Sequence, residues 1–167
     1  SIIIKKKLIL SSDTINKFNE SLILIKIGNN RKASDIVNRQ ILDTKSGKNI
    51  MILSQMYKNA INAKSVIESP NLKDSFKILG EMMRENWTYK KSLSSNISNN
   101  RIDEVYDEII KMGAYGGKLC GAGGNGFMFF LANKKNKKLI INKFKDKFHC
   151  TDIEIEFKGV ESHNGYQ

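Results

Sequence analysis

Proline occurs once, as Pro70, and cysteine only twice in a chain of 167 residues. With 40% apolar and 27% charged residues, so little proline belongs to a folded chain and not to a disordered one. Cys120 and Cys150 stand apart, with neither CxxC spacing nor histidines at zinc-finger intervals. They are expected to be reduced, small apolar packing residues, with no disulfide framework and no metal site. His149 precedes Cys150, but neighbours on a strand point to opposite faces, so the pair is badly placed for proton transfer and no catalytic cysteine is expected. No stretch reaches about 18 consecutive apolar residues, and the opening SIIIKKKLIL has too short an apolar run and the wrong charge order for a signal peptide. A cytoplasmic protein without a membrane contact is the expectation. Arginine is scarce too: Arg31, Arg39, Arg84 and Arg101 are the only four, although the net charge is +11. Bidentate recognition of bases and phosphates favours the arginine fork, so a lysine excess spread along the chain reads as solvated surface, and nucleic acid is not an expected partner.

What is present suits one domain. A chain of 19.0 kDa can bury a real core, whereas two domains would be cramped. Residues 2–10 and 21–27 are β-branched apolar runs of strand length, separated by a short segment from Ser12 that can cap one or two helical turns. After the turn Gly28-Asn29-Asn30, apolar residues recur at helical spacing over 33–42, with Gly47 as a stop. They recur again over 49–68, up to Ser69-Pro70, and from Asn71 to the polar stretch at 94–100. Ile102, Val105, Tyr106, Ile109 and Ile110 then fit one helix face, with Asn99 or Asn100 as cap and Gly113 as stop. Strands are expected at 118–120 and 127–131, a basic helix over 133–149 with Leu139, Ile140, Phe144 and Phe148 on one side, and a last strand at 152–157, where DIEIEF alternates. This order predicts an α+β fold: one ferredoxin-like antiparallel sheet backed by helices, with a helical insertion.

The segment GGKLCGAGGNGFMFF at 116–130 holds the strongest functional signal, because six of its first eleven residues are glycine. A backbone that turns repeatedly through positive φ, or that must approach another molecule closely, needs glycine. Successive N–H groups in such a turn make a concave donor surface suited to phosphate oxygens. The segment is neither a GxxxxGK[ST] loop nor a good dinucleotide fingerprint, since an apolar run follows it, and a plain glycine-rich hairpin stands beside the anion-binding reading.

That run resembles the third conserved motif of the GHMP small-molecule kinases. GNNRKASDIVNRQ at 28–40, WTYKK at 87–91 and LSSNISNNRIDEVY at 93–106 are similar, in the same order, to segments of one branch, the D-glycero-D-manno-heptose 7-phosphate kinases. The resemblance covers nearly the whole chain but only half of such an enzyme, because the PxxxGxGSSAA-type nucleotide loop of the family's N-terminal domain has no counterpart here. It implies that residues 1–167 are a C-terminal domain whose partner is its own N-terminal kinase domain. ATP and Mg²⁺ would be held mainly by that other half, the catalytic residues would lie outside this chain, and the fragment alone would be inactive. The substrate implied is a sugar phosphate, phosphorylated at its anomeric hydroxyl. Another GHMP sugar kinase, fucokinase-like, is the alternative, and a stand-alone ferredoxin-like module that binds a ligand or nucleic acid is the rival from another class.

By the same resemblance the active-site loop is Gly121, Ala122, Gly123, Gly124, Asn125 and Gly126. Asn125 stands where the family has glycine, and asparagine is the residue that best tolerates that geometry after glycine. Substrate-binding candidates are Lys118, beside the motif; Trp87 and Lys90, which share a helix face; and Arg31, in the turn after a strand. Each has a plainer reading, as solvated charge or, for Trp87, as core under a snorkelling lysine. A domain that normally meets a partner would expose an apolar face, through which two copies could also pair.

Overall fold

The computed structural model describes residues 8–28, 34–69, 72–124 and 126–157. Ten elements follow one another: α1 (Ser12–Ser21), β1 (Leu22–Ile27), α2 (Ser34–Lys45), α3 (Ile50–Ile67), α4 (Leu72–Ser92), α5 (Asn100–Lys111), β2 (Ala114–Leu119), β3 (Gly126–Ala132), α6 (Lys134–Phe144) and β4 (His149–Thr151). The strands form one antiparallel sheet in the order β2-β3-β1-β4. That is the ferredoxin-like order, with α2 to α5 inserted in the first crossover, so the expected α+β class and topology hold.

Alternation along the strands fixes which side chains meet on each face. Ile23, Ile25 and Ile27 of β1 and Met128, Phe130 and Ala132 of β3 join Trp87, the apolar face of α5, and Ile140 and Phe144 of α6 in the larger core. The opposite face of the sheet, through Leu22 and Leu131, meets Phe76 and Leu79 of α4, with Phe18 of α1 and Ala63 and Ile67 of α3 packed around them. Helix α4 thus contributes to both cores. It lies against the edge strand β2, where Gly80 of the helix faces Tyr115 and Gly116 faces the Gly80 carbonyl; a Cβ on either glycine would strike backbone. Two of the chain's glycines therefore serve close helix–strand approach and have no part in a turn.

Several expected boundaries move. Residues 8–10 are not in a strand, and the rest of the expected first strand lies outside the described residues. Helix α1 runs for ten residues because the Ser11 hydroxyl accepts from the Thr14 N–H and caps it. The basic helix stops at Phe144, and His149–Thr151 pairs with β1 instead. Leu139 is exposed and Lys137 takes its place on the buried side, its ammonium reaching the Asn19 carbonyl at 3.1 Å and Asp152 at 2.9 Å. Asp152 to Phe157 alternates as expected, with Ile153 and Ile155 packed on the smaller core, yet it is not a strand. The Ile155 N–H donates to the Asn19 side chain, at 3.0 Å, and not to a neighbouring strand.

Candidate functional site

Strands β2 and β3 enclose the glycine turn, and the Cys120 N–H donating to the Phe127 carbonyl at 2.8 Å closes its base. Gly121, Gly123, Gly124 and Gly126 all have positive φ, at 66°, 113°, 83° and 114°. The glycine content beyond position 120 is therefore a conformational requirement, and the turn is not a two-residue hairpin.

Two outside segments hold the turn. From the end of α4, the Lys90 ammonium donates to the carbonyls of Leu119 at 3.0 Å and Gly121 at 2.7 Å. From the α4–α5 connection, the Ile97 carbonyl accepts the Gly124 N–H at 2.9 Å, and the Asn99 Nδ2 donates to the Gly124 carbonyl at 3.1 Å. Asn99 does two jobs with one amide, because its Oδ1 also accepts the Ile102 N–H at 3.1 Å and so caps α5. The connection is itself fixed: Ile97 is fully buried, and Asp103 ties Ser98 at 2.9 Å to Lys91 at 3.1 Å. Beneath it, Trp87, Tyr106 and Phe130 stack in series with ring centroids 6.2 and 5.6 Å apart. Among the described residues, the N–H groups of Gly121, Ala122 and Gly123 have no hydrogen-bond partner. Consecutive N–H groups without a protein partner, on a braced backbone, are the kind of donor set that can receive an oxyanion.

The residues singled out by sequence fall into different places. Gly121, Ala122, Gly123, Gly124 and Gly126 form the turn, while Asn125 and Arg31 lie outside the described residues. Lys118 is exposed on β2, one residue before the strand ends, with its stem at the edge of an apolar cleft of about 220 Å³ between α1, α3, α4 and the sheet. Trp87 is 1% exposed, so its ring is part of the core and offers no face to a ligand; Lys91 and not Lys90 lies over it, at 5.8 Å. The shared helix face proposed for Trp87 and Lys90 thus splits into a core residue and a residue of the turn. Sequence reasoning held Ile97 and Asn99 only as members of the similar segment at 93–106, with Asn99 also as a cap, and gave neither a role at the turn. The polar stretch between two helices was the available signal, but nothing in it showed which carbonyl would meet a glycine.

Local electrostatics disfavour thiolate chemistry beside the turn. Burial pushes the Lys90 ammonium below the ordinary lysine value, with the Lys118 charge adding to the effect and Cys120 opposing it. Burial raises the thiols of both Cys120 and Cys150, which disfavours thiolate at either position. Among the described residues, no group of three or more His, Cys, Asp or Glu side chains is placed to hold a metal ion, and no helix is long and apolar enough to cross a membrane.

Comparison with known proteins places this geometry. The family described as GHMP kinases C terminal matches residues 67–150, which include α4, the α4–α5 connection, the turn and the whole of β3. The D-glycero-alpha-D-manno-heptose 7-phosphate kinase of Campylobacter jejuni is 29% identical over 133 residues, covering 79% of this chain and 38% of that protein. The chain therefore spans about two fifths of the length of this curated relative. Among solved structures, the Methanococcus jannaschii mevalonate kinase superposes with a TM-score of 0.63 at 20% identity, over 89% of this chain and 44% of that one. The L. major mevalonate kinase in complex with R-mevalonate gives 0.61 at 21%, over 75% and 38%. At these identities the structural likeness shows a shared fold, and the site must be argued from its own residues.

Proposed function

The chain belongs to the family of GHMP kinase C-terminal domains, and from that membership we propose that residues 1–167 are the C-terminal half of an ATP-dependent sugar kinase. The observation that carries this reading is the braced turn, with the N–H groups of Gly121, Ala122 and Gly123 unpartnered among the described residues. Phosphoryl transfer needs positioning and charge stabilisation more than covalent chemistry. Donors fixed before the reaction stabilise charge on the transferring group without reorganising during it. ATP supplies the phosphoryl group. The turn's N–H groups bind its oxygens, and Lys118, exposed beside the turn, adds positive potential to that side. By the same reading, Mg²⁺ and the group that deprotonates the acceptor belong to the N-terminal kinase domain, in a cytoplasmic enzyme.

Helix α3 supports a partner domain. Its inner face, with Ile52, Met56, Ala63 and Ile67, packs inward, yet Ile50, Met51, Tyr57 and Ile61 on its outside are 61%, 80%, 68% and 50% exposed. A helix that is apolar on both sides is made to be covered on both.

For the acceptor we favour a heptose 7-phosphate, phosphorylated at the anomeric hydroxyl, because the curated relative carries that name; a fucose-type sugar is the alternative. The test is ADP release by the full-length protein with D-glycero-D-manno-heptose 7-phosphate, L-fucose and mevalonate as acceptors. Turnover should be fastest with the heptose phosphate and absent for the 167-residue chain alone. Preference for fucose would select the alternative, and no ADP release with any acceptor would overturn the kinase reading.

A further inference from the structure

The two limbs of the glycine turn are held by unlike means. On the far limb Gly123 packs so closely on Ile97 that a Cβ would lie 2.9 Å from the Ile97 carbonyl oxygen, and Gly124 is hydrogen-bonded to Ile97 and Asn99. Gly121 has no such support: a Cβ there would meet nothing within 4 Å. A residue at φ 66° in open space has no packing to choose its conformation. What reaches it is the Lys90 ammonium, which gathers the Gly121 and Leu119 carbonyls from across a gap of about thirty residues of sequence.

We propose that Lys90 is the positioning residue of the phosphate seat, a cation that sets the near limb of the turn and does not itself bind the sugar phosphate. The inference rests on the reading of the turn under Proposed function. Two carbonyls brought toward one point repel each other and would repel an anion nearby. A cation between them removes both penalties, and charge-assisted hydrogen bonds fix the geometry more firmly than neutral ones. Two of the three ammonium donors are thereby committed to backbone, and the half-buried amine is screened less from the carbonyls than a solvated lysine would be. Lys118 is the contrasting case: it stands exposed beside the same turn with no backbone carbonyl among the turn's described residues as partner, and it acts by charge alone.

The test uses amide NMR spectra of the 167-residue chain, with inorganic pyrophosphate as the probe. In Lys90→Met, the ligand-free amides of Cys120 to Ala122 should shift and exchange faster with solvent, while those of the far limb and the core stay in place. Pyrophosphate affinity should fall by about tenfold. Lys90→Arg, which can still donate to both carbonyls, should keep the near-limb shifts close to wild type. Lys118→Met should lower affinity by only about twofold, lose that effect in high salt, and leave the ligand-free turn unchanged. Near-limb shifts in Lys90→Met identical to wild type would overturn the proposal, as would Lys118→Met reproducing both effects. If Lys90→Met does not fold, Lys90→Gln, compared with Lys90→Arg, decides by the same shifts. Failure of the wild-type chain to bind pyrophosphate would count against the phosphate seat, and the ligand-free comparison would still decide the positioning role.

Discussion

Replacing Gly80 with alanine separates packing from propensity by the sign of the effect. In an open helix this change adds about 1 kcal/mol of stability, because alanine restricts the unfolded chain and glycine does not. At Gly80 the new Cβ would lie 2.6 Å from the carbonyl carbon of Tyr115 and 2.9 Å from its Cα. Both are backbone atoms of β2, so no rotamer change relieves the contact. Helix α4 must retreat by roughly 1 Å, a gap at which packed atoms forfeit a quarter to a half of their attraction. The contacts weakened include those of Phe76, Leu79 and Trp87, all at most 5% exposed. Overpacking of this kind costs about 3 kcal/mol at the upper end of its usual range, which leaves a net loss of about 2 kcal/mol after the helix gain. For a chain of this size that is a fall in Tm of about 4–8 °C, read by circular dichroism and checked by urea unfolding. Gly116→Ala should behave alike, and the double variant should lose less than the sum, because one retreat of the helix makes room for both methyl groups. If Gly80→Ala is as stable as wild type or more so, the close approach of α4 to β2 is wrong, and the placement of Lys90 over the turn fails with it.

Other perturbations test the supports of the turn. Asn99→Ala removes a helix cap and a donor to Gly124, and should cost about 1 kcal/mol in urea unfolding. Asn99→Asp keeps the cap and loses the donor, so it should retain most of that stability while the turn's amide shifts move; equal destabilisation in the two variants would refute the split of roles. Tyr106 has its hydroxyl pKa pushed up to about 12, chiefly by burial, with the Arg84 charge and a Gly117 backbone hydrogen bond opposing the rise. A folded-state pKa above the unfolded value of about 10 gives stability that is complete below pH 10 and lost as pH rises toward 12, at most about 3 kcal/mol in all. The difference in urea midpoint between wild type and Tyr106→Phe should therefore shift across that window. A constant difference would show that the ring is not buried as described.

Much of the fold was legible in the sequence because patterns with one physical cause survive any tertiary context. Ile102, Val105, Tyr106 and Ile109 sit at helical spacing with an asparagine before them and a glycine after, and the helix found there has those four buried, Asn99 as its cap and Gly113 at φ 91°. DIEIEF was misleading for an equally physical reason. Alternation reports which side chains are buried, and Ile153 and Ile155 are indeed packed inward, but it does not say what receives the backbone N–H groups. Leu139 and Lys137 exchanged places because a lysine stem covers apolar surface as well as a leucine does when its ammonium finds a carbonyl and a carboxylate. At the site, the glycines announced the turn, whereas its supports could not be read. Lys90, Ile97 and Asn99 lie some 25 to 31 residues from the atoms they hold, and no local pattern encodes a contact of that range.

The central claim, that the turn at 121–126 is a wall of a phosphoryl-transfer site, is tested most directly by Gly123→Ala in the full-length protein. Alanine at φ 113°, against the Ile97 carbonyl, must displace the N–H groups on either side, while the fold beyond the turn should keep its Tm within a few degrees. Steady-state ADP release should show kcat reduced by about 10²-fold with little change in the KM for the acceptor, the pattern of a lost transition-state contact. A folded variant with undiminished kcat would contradict the account.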